Sequence, residues 1–422
     1  MHRRAVLAAI PSFDRNGRIV VIARTMRSFA FGLNSVALGL YLSELGLSGS
    51  DIGLVLSAAL AGTMTLTLVI ALYGDRIGRR RLLMAGSALM ASAALIPFVA
   101  GQPLLLAAIA LSGMVAVTSN ESTGLQTVDQ ALLPGSVAVT DRTAAFAFYN
   151  VVAAAAAAIG ALAVGLLPIV AAPLQLGGAE AYTPAFLLYA SVGVLTLLLH
   201  ARLDRAAETG RRLEGRLAID RSRGTVARLS LLFSLDSLAG SFVVQSFLAY
   251  FFATRFAAQP AQIGAIFFVS GLLTTASFPV AAWLAGRIGL IRTMVFTHIP
   301  SSVFLIAMAV VPSFEICALL QVLRSALSSM DVPARQSYTM AVVDDAERTA
   351  TAGVTSLARG LAQVPGPYIA GALLLPLGIG VPLIATGVLK ITYDGPLYAL
   401  FRSRPAPGER GSDLREGDAS GA

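Results

Sequence analysis

Ala71-Leu72-Tyr73-Gly74-Asp75-Arg76-Ile77-Gly78-Arg79-Arg80-Arg81 is the stretch that decides how this chain is read. Residues 52–73 carry no charged side chain, and neither do residues 82–100. Each run is close to the ~20 residues that a helix needs to cross a bilayer. The turn between them holds four arginines and one aspartate. A polar turn this short between two apolar spans lies at a membrane surface. Its arginines put it on the side where positive charge accumulates, the cytoplasm.

Composition agrees. Of 422 residues, 56% are hydrophobic and 13% charged, with a mean hydropathy of +0.75. Soluble domains carry about 25% charged residues, so this is a polytopic membrane protein. A net charge of +8 and a pI near 10 would suit a nucleic-acid binder. The placement of the charges argues otherwise: outside the spans, Arg255 is the one basic residue on the outer side. The basic excess therefore reports topology and contact with anionic lipid, and nucleic acid is excluded as a partner. Cys317 has no second cysteine to pair with and reads as a small buried hydrophobe. The lead Met1-His2-Arg3-Arg4 resembles a secretory signal. Its apolar part stops at Pro11 with no small-residue cleavage site before Asp14, so a cytoplasmic lead is expected.

Hydropathy predicts twelve spans, near 19–42, 52–73, 82–100, 103–123, 143–168, 182–200, 230–253, 262–285, 293–311, 314–331, 349–374 and 378–400. The even number places both termini in the cytoplasm. The expected organisation is a lead (1–18), a six-helix bundle (19–200), a basic cytoplasmic linker (201–229), a second six-helix bundle (230–400) and a tail (401–422) expected to be disordered. The linker interleaves arginines with Asp204, Glu208, Glu214 and Asp220, which suits a segment lying along the membrane face. The halves repeat. Asp75-Arg76-Ile77-Gly78 is echoed 211 positions later by Gly286-Arg287-Ile288-Gly289, and Asp51-Ile52-Gly53 at the same offset by Gln262-Ile263-Gly264. Gln130 and Arg142-Thr143 recur as Gln336 and Arg348-Thr349 with the same internal spacing of twelve. Shared order and offset point to a six-plus-six duplication. The fold class is all-α and integral to the membrane, twelve helices in two pseudo-symmetric bundles.

With these spans, the linker and the 71–81 turn, the chain resembles the major facilitator superfamily of secondary transporters over nearly its whole length. The family's loop pattern runs Gly, three residues, Asp, Arg, any, Gly, Arg, Arg. Here Ala71 replaces the first glycine, and Gly74, Asp75, Arg76, Gly78, Arg79 and Arg80 fill the loop. The second-half copy is degenerate, with Gly286 at the Asp position. The resemblance implies that Asp75 pairs with the other half and locks an outward-facing state; for the arginines, plain topology anchoring competes with that role. Gly360, Pro365, Gly366, Pro367 and Gly371 in the eleventh span look like the glycine–proline motif of drug–proton antiporters, which those carriers place in the fifth span. A kinked helix packed through small residues explains them equally well.

Ionisable groups inside a bilayer are expensive and by default functional. Gln321, Arg324, Ser328, Asp331 and Arg335 share one helical face of the tenth span. Arg359 falls near mid-depth in the eleventh, Asn120 and Glu121 in the inner third of the fourth, Arg27 and Asn34 on one face of the first, and Asp236 and Gln245 in the seventh. The resemblance implies that the first, fourth, seventh and tenth spans surround the central cavity. In one reading Arg324 and Arg359 attract an anionic or polar substrate and Glu121 carries a coupling proton. In the other these groups brace helices, as pairs such as Arg27 with Glu121 and Arg324 with Asp236 or Asp331. Arg335 is expected at the cytoplasmic rim, Lys390 and Asp394 as a mutual pair one turn apart, and His298 as a core residue. No phosphate loop, metal cluster or catalytic triad is legible. The chain is therefore expected to be no enzyme, to need no cofactor beyond a coupling proton, and to work as a monomer in a bacterial inner membrane. The expected function is proton-coupled efflux of a small organic molecule by alternating access. Proton-coupled uptake of an organic anion is the alternative, and a receptor or scaffold without transport is the alternative from another class.

Overall fold

The computed structural model describes residues 11–119, 124–204, 221–344 and 347–402. The lead up to residue 10, Asn120 and Glu121, linker residues 205–220 and the tail from 403 lie outside the described residues, as does the side chain of Asp75. Among the described residues there is no strand. In chain order the helices are α1 (Arg15–Glu44), α2 (Gly49–Ile77), α3 (Arg79–Ala91), α4 (Pro103–Ala110), α5 (Gly124–Leu132), α6 (Arg142–Ala163), α7 (Leu167–Ala171), α8 (Thr183–His200) and α9 (Arg223–Ser241). The remainder are α10 (Gln245–Phe256), α11 (Pro260–Ile288), α12 (Leu290–Val310), α13 (Phe314–Ser328), α14 (Asp331–Ala341), α15 (Arg348–Gln363), α16 (Gly366–Ile369) and α17 (Val381–Phe401).

Eight helical segments among the described residues are long and apolar enough to cross a membrane: Gly49–Gly74, Arg79–Val99, Ala144–Leu174, Gly178–His200, Arg223–Phe256, Pro260–Ile288, Leu290–Val310 and Ala350–Leu377. They coincide with the second, third, fifth to ninth and eleventh expected spans. The others carry charge or breaks. The first is α1, whose arginines lower its hydropathy, and the twelfth is α17, which holds Lys390 and Asp394. The fourth is divided into α4 and α5, and the tenth into α13 and α14.

Local sequence explains the helix ends. Asp14 caps α1 by accepting from the Gly17 N–H at 2.7 Å, and Ser48 caps α2 by accepting from the Asp51 N–H at 3.2 Å. The 71–81 stretch forms the end of α2 and the start of α3, joined at Gly78 with φ 94°. Gly289 joins α11 to α12 in the same way, with φ 87°. A side chain at either position would force left-handed strain, so the repeated glycine has a backbone cause. The duplication is also visible in bonds. Arg142 Nε donates to the Pro134 carbonyl at 3.3 Å, and Arg348 Nε donates to the Met340 carbonyl at 2.9 Å.

By their contacts the chain groups into two compact units, one drawn from Met1–Leu213 and Val244–Gly271, the other from Glu214–Val243 and Leu272–Ala422. Residues 244–271, which belong to the second half by the repeat, therefore pack with the first unit. In the first unit α1 is the hub, against α6, α8 and α10. A Cβ on Gly32 would fall on the Ala157 carbonyl, and one on Gly160 on the Phe29 carbonyl, so small residues bring α1 and α6 together as membrane helices require. In the second unit Phe233, Met294, Tyr338, Tyr393 and Phe401 form the core, where α9 packs on α15 and α17 and α12 packs on α13, α14 and α17.

Candidate functional site

Each unit encloses a cluster of charges. In the first, Arg27 of α1 forms an ion pair with Asp129 of α5, and both side chains are 0% exposed. The Tyr149 hydroxyl donates to Asp129 at 3.2 Å, and the Arg24 guanidinium lies 5.3 Å from the Tyr149 ring centre. His200, at the end of α8, places Nε2 3.5 Å from Arg27 Nη1 and Nδ1 3.0 Å from the Ser87 hydroxyl of α3. A guanidinium only donates, so Nε2 accepts and the proton of this imidazole sits on Nδ1.

The second unit holds a larger cluster. Lys390 Nζ of α17 donates to Asp236 Oδ1 of α9 at 2.6 Å and lies 3.1 Å from His298 Nε2 of α12. His298 Nδ1 is 3.0 Å from both oxygens of Asp394, and Nε2 is 3.4 Å from Asp236 Oδ1. Arg335 of α14 bonds to Asp331 at 2.6 Å and lies 3.6 Å from the second oxygen of Asp236. Arg359 of α15 donates through Nε to Ser237 at 2.9 Å and lies within electrostatic reach of Asp236 and Asp331. Charged groups withdrawn from water need such compensation.

Several expectations change here. Arg27 pairs with Asp129, while its expected partner Glu121 lies outside the described residues. Asp236 and Asp331 are taken by Arg335, which is buried between them, and by Lys390. Arg324 instead donates to Gln321 of its own helix at 3.3 Å, and no carboxylate among the described residues lies within ion-pair distance of it. Lys390 and Asp394 turn toward Asp236 and His298, and not toward each other. The single face read through the tenth span is interrupted at Ser329-Met330, so Gln321 and Arg324 belong to α13 while Asp331 and Arg335 open α14. Asp129, His200, Ser87 and Tyr149 were missed. The repeat held the signal: Asp129 and Arg335 are 206 positions apart, the offset of the Gln130 and Gln336 match, and Ser87 and His298 are 211 apart.

Asn34 and Gln245, also 211 apart, are both in the first unit. Asn34 Nδ2 donates to the Ala116 carbonyl at 3.0 Å, and its Oδ1 has no hydrogen-bond partner among the described residues. Gln245 donates to Ser35 at 3.0 Å and accepts from Ser119 at 2.8 Å, which ties α10 to α1. In the 71–81 turn, Arg79 bonds to the Ala131 carbonyl at 3.3 Å and Arg80 to the Ala201 carbonyl at 2.6 Å. These arginines cap the C-terminal ends of α5 and α8, where cations offset unsatisfied carbonyls. Gly74 accepts from the Gly78 N–H at 3.0 Å, and Arg76 is exposed. Pro365 caps the start of α16, Gly366 and Pro367 open that helix, and Gly371 lies in the π-helical turn Ala370–Leu374. Gly366 lies against Ser241 so closely that a Cβ would strike its hydroxyl. Gly360 is half-buried in α15. No cluster of histidine, cysteine and acidic residues suited to a metal occurs among the described residues.

The chain is a helical, multi-pass membrane protein with a cluster of charges buried in each of its two units. The chain belongs to the Major Facilitator Superfamily, whose sequence model matches residues 20–252 and 229–420. It is 24% identical over 410 residues to an uncharacterized membrane protein of Saccharomyces cerevisiae, YJR124C, covering 89% of this chain and 92% of that protein. In structure it is similar to the nucleoside transporter NupG, with a TM-score of 0.73, 12% identity, and coverage of 92% and 99% of the two chains. It is also similar to a D-xylose–proton symporter, with a TM-score of 0.68, 14% identity, and coverage of 94% and 99%. The family makes this a multi-pass membrane transporter that works by alternating access, and not an enzyme.

Proposed function

We propose that this protein is a proton-coupled secondary transporter that exports a small organic molecule across a cytoplasmic membrane. It would act as a monomer with both termini in the cytosol and with its halves (19–200 and 230–400) as the moving bodies. The observation that carries proton coupling is the titratable cluster of Asp236, His298, Lys390 and Asp394, set within membrane spans, where ionisable groups are costly. Export is favoured by the 71–81 turn and the Pro365-Gly366-Pro367 element, both similar to those of antiporters. A second reading, uptake of an organic anion together with a proton, is favoured by Arg324, a half-buried guanidinium with a glutamine as its described partner.

A thermal-shift screen of the purified protein against metabolites and drugs supplies the compound to follow. In proteoliposomes, its concentrative flux is expected to require an imposed pH gradient. Full accumulation with the gradient collapsed would overturn proton coupling. In cells carrying the gene, export lowers internal compound and raises tolerance, while uptake does the reverse. Compounds that bind yet show no protein-dependent flux would favour a scaffold role.

A further inference from the structure

We propose that His298 is the group that binds the coupling proton, and that Lys390 and Asp394 are the positioning residues which make its protonation change the cluster. The proposal rests on the proton-coupled reading and deepens it.

The argument is one of donors and acceptors. The ammonium of Lys390 can only donate, and it lies 3.1 Å from His298 Nε2. Nε2 is therefore bare in this arrangement, and the imidazole proton sits on Nδ1, facing the two Asp394 oxygens at 3.0 Å. A proton arriving at Nε2 converts that nitrogen from acceptor to donor. The new N–H has an acceptor waiting, Asp236 Oδ1 at 3.4 Å, but Lys390 holds the same oxygen at 2.6 Å. Imidazolium and ammonium cannot share these positions, so binding the proton displaces Lys390 and releasing it restores the first arrangement. No other atom needs to be supplied.

Charge balance points the same way. Around His298, α9 presents Asp236, α14 presents Asp331 and Arg335, α15 presents Arg359, and α17 presents Lys390, Tyr393 and Asp394. Glu315 and Arg324 of α13 bond to Ser313 and Gln321 instead. Three carboxylates face three cations, so the described cluster is neutral only while His298 is neutral. An added proton leaves one positive charge over, and the two less deeply buried cations, Lys390 and Arg359, are the ones able to relieve it. The buried Tyr393 hydroxyl, which has no hydrogen-bond partner among the described residues, is at hand as a further donor. Lys390 is the only lysine among 31 basic residues. A compact ammonium fits between a carboxylate and an imidazole where a planar guanidinium does not.

The test uses the full-length protein in lipid nanodiscs with ¹⁵N-labelled histidine, the signal lost in His298→Gln marking His298. At alkaline pH the expected state carries the proton on Nδ1 alone, and acidification protonates both nitrogens. A signal that keeps one form at every pH where the protein stays folded overturns the proposal. If His298→Gln does not fold, Lys390→Met and Asp394→Asn serve instead: each should alter the tautomer or protonation of one histidine signal and leave that of His200 in place. In proteoliposomes with the compound from the screen, gradient-driven flux lost in Glu121→Gln but kept in His298→Gln moves the proton to Glu121 and sinks the site alone. Flux that ignores the gradient while His298 titrates sinks the coupled reading, with the NMR signal showing which part failed.

Discussion

The two buried clusters are built on corresponding spans of the repeat, with the places of cation and anion exchanged. In the first unit the cation is on the first span and the anion on the fourth, Arg27 with Asp129; in the second the anion is on the seventh and the cation on the tenth, Asp236 with Arg335. The third-span partner is a serine in one unit and, 211 positions later, a histidine in the other. A duplicated bundle thus keeps the need for internal charge compensation while the groups that meet it diverge. Among the described residues the first cluster centres on the Arg27–Asp129 pair, whereas the second shares Asp236 among a lysine, an arginine and an imidazole. A centred pair suits bracing. Shared pairing suits rearrangement, because each partner can be given up while another holds.

The largest expected effect tests that contrast directly. Arg27→Met removes the cation paired with the buried Asp129, and should cost about 3–5 kcal/mol of stability. Arg27→Met combined with Asp129→Asn should recover most of that loss. Lys390→Met should cost only about 1–2 kcal/mol, because Arg335 remains 3.6 Å from Asp236. Thermal unfolding of the three variants in one detergent decides the matter. Equal losses for Arg27→Met and Lys390→Met would remove the distinction between a centred and a shared cluster.

A second comparison sets one histidine against the other. His298→Gln should reduce gradient-driven flux about tenfold or more, equivalent to at least ~1.4 kcal/mol. His200→Gln should change flux by no more than about twofold, because Nε2 faces the Arg27 guanidinium and a proton there would meet a fixed like charge. Its penalty should appear as stability, about 1 kcal/mol for a lost hydrogen bond. Similar flux defects in the two variants would make both clusters part of the coupling path.

How much of this the sequence discloses depends on the kind of interaction. The uncharged spans and the 71–81 turn were legible because hydropathy and charge placement are local properties. The broken spans were not. The fourth was expected to end near 123, yet α5 is helical beyond that point and buries Asp129. The Arg27–Asp129 pair was missed for a related reason. The two residues are 102 positions apart, and their meeting depends on how the segment after Gly113 packs. Gly113 has φ 74°, and a Cβ there would strike Gly62, a tertiary contact that no single-residue preference encodes. His298 read as a core residue because a lone histidine on an apolar face carries no sign of Asp394 on another helix. The repeat offset was the one long-range signal within the sequence, and it aligns Ser87 with His298 and Asp129 with Arg335.

The α1–α6 crossing gives a further test, confined to the first unit. Gly160→Leu should destabilise by about 1–3 kcal/mol, since the side chain must push away the Phe29 carbonyl. Gly224→Leu, at a position with open space around it, should have little effect. Thermal unfolding separates them, and parity between the two would show that α1 and α6 are not locked by this contact.

The smallest expected effect contrasts how the first helix of each repeat begins. α1 is capped locally by Asp14, which accepts from the Gly17 N–H. α9 is held from a distance: the Glu347 carboxylate, just before α15, accepts from the N–H groups of Arg221 at 2.8 Å and Ser222 at 3.0 Å. Asp14→Ala and Glu347→Ala should each cost about 1 kcal/mol, the usual worth of a capping side chain. Their consequences should nevertheless differ in place. Loss of Asp14 frays only the first turn of α1, whereas loss of Glu347 removes a bond between the starts of α9 and α15, the helices that present Asp236 and Arg359 to the second cluster. Hydrogen exchange should therefore quicken at 221–226 and at 347–352 together in Glu347→Ala, and at neither in Asp14→Ala. Faster exchange at 221–226 alone would reduce Glu347 to an ordinary cap and leave α15 positioned by its packing against α9.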